Sequence, residues 1–147
     1  MFKYRLETLL KYRKTLEDGR RRSFSEANRI YMEELGEISK LEQERRGAME
    51  TLAESLPIIE DAAQLIIYDN YIRGSNVNLR ETFDKAEHAG QIAEMERQKL
   101  VEARKKRKII EVHKERLKER YDSEEARKER LFADEVAILK FGRKESA

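Results

Sequence analysis

The side chains that most often carry chemistry are sparse or badly spaced in this sequence. His88 and His113 are its histidines, and they lie too far apart along one helix to share a metal ion. Asp84, four residues before His88, is the only carboxylate at three- or four-residue spacing from either. Two ligands fall short of a zinc site, so both histidines read as surface residues. Carboxylates are abundant, but a working acid/base pair needs a concave, partly dry pocket to separate its proton affinities. There is no glycine-rich phosphate loop. Cysteine is absent, which removes thiolate chemistry and disulfides. The reading is a protein that binds rather than catalyses, with no cofactor and no metal.

Binding candidates are easier to find. The run Arg104-Lys105-Lys106-Arg107-Lys108 could neutralise phosphates. It has no interleaved aromatic to stack on bases, and glutamates resume at Glu111 and Glu115. It therefore reads as a solvated helix face or a contact for an acidic partner, as does Arg20-Arg21-Arg22, and not as a nucleic-acid site. A different feature is LPIIEDAAQLIIYDNYI, residues 56–72, where no lysine or arginine occurs between Arg46 and Arg73. Within it Tyr68 and Tyr71 are three apart and share a helix face. Tyrosine suits an interface because its ring buries area while its hydroxyl stays satisfied.

The elements that position these residues are helical. Of the 147 residues 42% are charged and 39% hydrophobic, with a single proline. No segment alternates apolar and polar side chains as a half-buried strand would. Such composition with helical periodicity signals long helices or coiled coil, so the fold class is all-α. The formal charge of +2, from 32 basic and 30 acidic residues, gives no bulk pull toward nucleic acid or anionic lipid. Charges recur every two or three residues after Met1, leaving no apolar core for a secretory signal. The longest apolar run is broken by Glu60, Asp61 and Asp69 and is too short to span a bilayer. The expectation is a soluble, cytoplasmic protein without direct membrane insertion.

A seven-residue register runs through Phe24, Tyr31, Ile38, Arg45, Leu52, Ile59 and Ile66, with Ala27, Leu35, Leu41, Ala48 or Met49, and Leu56 supplying the partner position. Upstream, Phe2, Leu9 and Leu16 keep the spacing, and the eight-residue step to Phe24 should locally relax a supercoil. A thinner seam follows through Ala103, Ile110, Leu117, Leu131 and Ile138, with Leu100 and Tyr121. Arg107, Lys114 and Glu124 interrupt it and should weaken its packing. Pro57 breaks a helix at a cost of roughly 3 kcal/mol, and Asp61 to Gln64 has the spacing of a capping box. The chain therefore reads as helix 1 over about 2–55, a turn over about 56–60, and helix 2 over about 61–141. Gly74-Ser75-Asn76, with Asn78 and Glu81 as a further cap, is an alternative turn or a kink at 74–77.

Two local patterns bring a family into view. FKYRLETLLKYRKTLED, through Phe2, Tyr4, Arg5, Leu6, Glu7, Leu9 and Leu10, resembles the start of the flagellar export stalk protein FliJ. ARKERLFADEVAILKF is similar to that family's basic stretch followed by Asp-Glu and a hydrophobic residue, here Asp134, Glu135 and Val136. Tyr68 and Tyr71 look like the aromatic pair that follows its hairpin turn. The resemblance covers nearly the whole chain. It implies a long two-helix antiparallel coiled-coil hairpin like the rotor subunit of rotary ATPases, with the turn at Pro57. It further implies a stalk, peripheral at the inner-membrane flagellar basal body, that inserts the end bearing both termini into the hexameric flagellar export ATPase and promotes its assembly and activity. By the same resemblance it binds the cytoplasmic domain of the export-gate membrane protein and interacts with export chaperones. On the family pattern Phe2, Leu6, Leu9, Phe132, Asp134, Glu135 and Phe141 meet the ATPase pore, and Leu41, Ala48, Tyr68 and Tyr71 meet the gate. Ser75 and Asn78 stand where the family tends to carry apolar residues. A self-associating structural coiled coil is the alternative.

Overall fold

The computed structural model describes residues 1–58 and 61–145, with side chains through 142. Two α-helices make up nearly all of it: α1, Glu7–Ser55, and α2, Ala62–Glu145, joined through a single 3-10 turn, Leu56–Ile58. At 1.5 Å per residue they extend about 73 Å and about 126 Å respectively. The fold is an antiparallel helical hairpin, the class that the heptad spacing and the resemblance imply.

Local chemistry sets the ends. Tyr4 and Leu6 carbonyls accept from Glu7 and Leu10 N–H groups at 3.2 and 3.0 Å, so α1 begins after the first few residues. It ends at Ser55, two residues before Pro57, whose ring cannot follow a helical turn. At the start of α2 the Asp61 Oδ1 accepts from Ala63 N–H at 3.0 Å and the Asp61 carbonyl accepts from Gln64 N–H at 3.2 Å. That carboxylate satisfies one of the amides a helix start leaves without an intrahelical partner. Gly74 lies inside α2 with no positive φ, and the Asn78 carbonyl accepts from Thr82 Oγ1 at 2.8 Å as an ordinary helix residue.

The chain divides into two units: unit 1 is Met1–Glu17 with Ala103–Ala147, and unit 2 is Asp18–Glu102. In unit 1, α1 and α2 run antiparallel, since Tyr4 meets His113 while Glu17 meets Arg107. The same sense holds in unit 2, where Tyr31 meets Gly90 while Leu41 shares a groove with Asn78 and Tyr71.

The α1 seam differs from the one expected at its N-terminal end. Leu9, Leu16 and Leu35 stand exposed, whereas Leu10, Arg13, Glu17, Phe24, Ala27, Tyr31, Glu34, Ile38, Leu41, Arg45, Ala48, Leu52 and Ser55 are buried or half-buried. From Leu10 through Glu17 to Phe24 the step is seven each time, so the eight-residue insertion disappears. A glutamate, not Leu16, holds the seam position. Ile66 is also off the seam, exposed after the helix break, and Ile59 lies outside the described residues. On α2 the inward positions of unit 2 include Tyr68, Ile72, Ser75, Leu79, Thr82, Ala86, Ala89 and Ala93. Among the described residues no side chain is fully shielded. A seam of alanines contributes far less burial per layer than one of leucines, at about 0.8 kcal/mol for each buried CH2, so polar contacts matter more than in a globule.

Candidate interaction surfaces

Unit 1 is where hydrogen bonds join residues far apart in the sequence. Arg107 Nε donates to the Glu17 carboxylate, Arg107 Nη1 donates to Glu111 Oε2 at 2.6 Å, and Arg104 Nε lies 3.6 Å from Glu17 Oε1. The Glu17 side chain is only 4% exposed and that of Arg107 20%. The hydrogen bond to Glu17 is the main reason Arg107 is held more firmly protonated than an ordinary arginine. Glu111 sits below the usual carboxylate range, first because Lys108 donates to it at 3.3 Å, and also because Arg107 is beside it. One turn-pair further along, Lys114 Nζ donates to Glu7 Oε2 at 2.6 Å and lies 5.8 Å from the Tyr4 ring centroid. That bond is the first cause of the lowered Glu7 pKa.

Charged seam residues therefore act differently from the sequence expectation. Arg107 and Lys114 do not simply thin the seam, because α1 presents a carboxylate to each. Three members of the basic run, Arg104, Arg107 and Lys108, lie against carboxylates of the same unit. The signal was available: Glu17 and Glu7 occupy the inward face of α1 when Leu10, not Leu9, is taken as the seam residue.

Tyr4 completes this end. It is buried, its hydroxyl lies 3.2 Å from the Ile110 carbonyl and 2.9 Å from His113 Nδ1. The hydroxyl donates its one proton to Ile110 when His113 carries Nδ1–H and donates to the oxygen. His113 is exposed, as expected of a surface histidine, and is engaged there by Tyr4. Phe2 packs on Tyr121 with ring centroids 5.7 Å apart, and the Met1 amino group donates to the Tyr121 hydroxyl at 2.8 Å.

Past Tyr121, α2 continues to Glu145 with Ala126 and Val136 half-buried and its larger apolar side chains exposed. Leu131, Phe132, Ile138, Leu139 and Phe141 are all more than half exposed, and Asp134 and Glu135 are exposed as well. Phe132 lies about 16 Å along the axis beyond Tyr121. The structure consequently separates the seven pore candidates into two groups. Phe2 is half-buried on Tyr121, with Leu6 just before α1 and Leu9 in its first turn both exposed, while Phe132, Asp134, Glu135 and Phe141 stand on the tail of α2.

The gate candidates fall in unit 2. Leu41 and Tyr71 line one groove of about 270 Å3 with Glu44, Asn70, Ser75 and Asn78. Leu41 also packs against the cluster of Ile38, Leu79 and Ala86. Tyr71 is 47% exposed, whereas Tyr68 and Ala48 are half-buried toward the seam. Ser75 and Asn78 belong to the same groove, giving it a polar edge.

The family model for the flagellar FliJ protein matches residues 2–146. The chain belongs to the FliJ family. As a FliJ-family member it is a flagellar protein associated with type III export. A solved YscO homolog from Chlamydia trachomatis aligns over 100% of this chain and 99% of its own, with 23% identity and a TM-score of 0.53, a likeness of fold. No match was found among curated proteins. Among the described residues of this FliJ-family chain no helix is long and apolar enough to cross a membrane, and no three His, Cys, Asp or Glu side chains gather where they could hold a metal ion.

Proposed function

We propose that this chain is a non-enzymatic stalk of the flagellar export apparatus that engages the hexameric export ATPase through its termini, promotes ring assembly and hydrolysis, and couples the ring to the export gate. It works on the cytoplasmic side, peripheral to the basal body. The observation that carries the reading is the tail of α2. A helix whose Leu131, Phe132, Ile138, Leu139 and Phe141 stay exposed is incomplete by itself, and a hexamer pore supplies the apolar and polar walls it lacks. Asp134 and Glu135 on that tail add charge, so the contact with a near-sixfold ring remains weak enough to be uneven. Phe2, Leu6 and Leu9 extend the same contact toward α1. The groove holding Leu41 and Tyr71, together with half-buried Ala48 and Tyr68 of the same unit, is the proposed gate contact, and export chaperones are further partners.

Deleting residues 132–147 tests this directly. ATPase stimulation should disappear while binding to the gate's cytoplasmic domain persists. A truncated protein that stimulates as well as the full chain would refute the tail assignment. The exposed tail also suits a second reading, self-association of this coiled coil. Sedimentation distinguishes the two, since the stalk reading requires a monomer that binds the ATPase and the alternative a dimer or tetramer that ignores it.

A further inference from the structure

In unit 2 the two helices are unequal in bulk. On α2 the inward row is Thr82, Ala86, Ala89 and Ala93, with half-buried Gly90 beside it, and α1 answers with Phe24, Tyr31 and Ile38. The approach is close: a Cβ built on Gly90 would stand 3.0 Å from Tyr31 Cε2. Small residues on one helix leave the flank of the pair unfilled. The result is an open groove of about 840 Å3, whose apolar lining includes Tyr31, Leu35, Phe83 and Met95. Leu35, Phe83 and Met95 are 39%, 49% and 55% exposed, an apolar strip rather than scattered single side chains.

The rim of that groove carries one sign of charge. Asp84, Glu87 and Glu94 line it and no lysine or arginine does. Glu94 is tied to Arg97 by two 2.7 Å hydrogen bonds. Asp84 and Glu87 form no ion pair among the described residues, so two carboxylates face solvent beside an apolar floor. The lining spans residues 83 to 95 of α2, about 18 Å or three helical turns.

We propose that this groove is a docking site for a basic amphipathic helix of a partner protein, separate from both contacts assigned above. Leucine-like side chains at i, i+3 or i+4, and i+7 would cover Phe83, Leu35 and Met95, and lysines or arginines flanking them would meet Asp84 and Glu87. The sulfur of Met95 lets the floor adapt to side chains of different shape. The carboxylate rim disfavours nucleic acid and anionic membranes, both of which present phosphates. An added β-strand has no sheet edge to join, since both walls are helices.

Because cysteine is absent, a reporter can be placed at one position. Gln91, exposed on the groove lining, is changed Gln91→Cys and labelled with an environment-sensitive dye; Glu119→Cys on unit 1 carries the same dye as a control. The probe is a 14-residue leucine/lysine amphipathic peptide, compared with its leucine/glutamate counterpart. The proposal expects a saturable dye response at position 91 alone and only with the lysine peptide. Asp84→Lys with Glu87→Lys should weaken it by about tenfold or more, and Glu115→Lys with Glu119→Lys in the unlabelled helix region should not. Equal responses at 91 and 119, equal binding of the glutamate peptide, or equal loss from the control reversal would overturn it. So would concentration-dependent dimerisation that quenches the dye at 91 without peptide, which would assign the groove to a second copy. None of these outcomes depends on the ATPase, so the stalk reading stands or falls separately.

Discussion

Removing the Glu17 carboxylate should unlock unit 1 more than any loss of a leucine from its surface. In Glu17→Ala the seam loses a side chain that is only 4% exposed, and Arg107, itself 20% exposed, loses its Glu17 partner while keeping Glu111 at 2.6 Å. Breaking a buried pair by deleting one member typically costs 3–5 kcal/mol. Here a fifth of the arginine reaches water and a second carboxylate remains, so the cost should fall to about 2 kcal/mol. Replacing both, Glu17→Leu with Arg107→Leu, removes the uncompensated charge and should recover most of that loss, since apolar isosteres of buried pairs are often neutral or better. The singles Glu17→Leu and Arg107→Leu complete a double-mutant cycle with that pair, whose coupling should be on the order of 1–2 kcal/mol. Amide hydrogen exchange over residues 8–17 and 103–114 reads the effect locally, which suits a long hairpin whose parts need not melt together. If Glu17→Ala protects these amides as well as the parent does, the pair contributes nothing and the seam rests on Leu10 and Ile110 alone.

Three further outcomes follow from the same contacts. Glu7 and Glu111 have folded pKa values below the ordinary 4.5 because Lys114 and Lys108 donate to them. Their contribution is complete above that value and is lost as pH falls through the depressed folded values. Unit 1 should lose exchange protection as pH drops below about 4.5, and Glu7→Gln with Glu111→Gln should flatten that dependence. Tyr4→Phe should cost about 0.5–1.5 kcal/mol, the usual worth of a protein hydrogen bond, by removing the hydroxyl that meets the Ile110 carbonyl and His113 Nδ1; unchanged exchange near residue 110 would contradict it. Gly90→Leu should destabilise unit 2 by about 1–3 kcal/mol through overpacking on Tyr31, and a Tyr31→Ala background should relieve much of it, as denaturant melts would show.

Much of this architecture is legible in the sequence because coiled-coil folds are written in periodicity. Pro57 and Asp61 mark the break between helices through rigid local chemistry that tertiary packing rarely overrides. The upstream register differs from the apolar spacing for a physical reason. Leu9 and Leu16 are apolar, and an apolar residue is assigned to a seam before a glutamate is. The glutamate wins because Arg107 stands opposite, information that lies ninety residues away and needs the antiparallel stagger to be known. The same holds for Tyr4 with His113: a lone histidine looks idle until the facing residue is identified. The unequal helix lengths that follow from a turn at Pro57 already imply an overhanging end of α2, but spacing alone does not show that Phe2 rests on Tyr121 while Phe132 and Phe141 stand exposed beyond it. The groove at Phe83 was invisible since alanines on a seam read as ordinary helix formers, not as missing bulk.

The stalk assignment is tested most directly by ATP hydrolysis of the cognate export ATPase with the full chain titrated in and ring formation followed in parallel. Stimulation that saturates near one copy per hexamer, and that vanishes with residues 132–147, is the expected result. No change in rate or assembly at any ratio would contradict it.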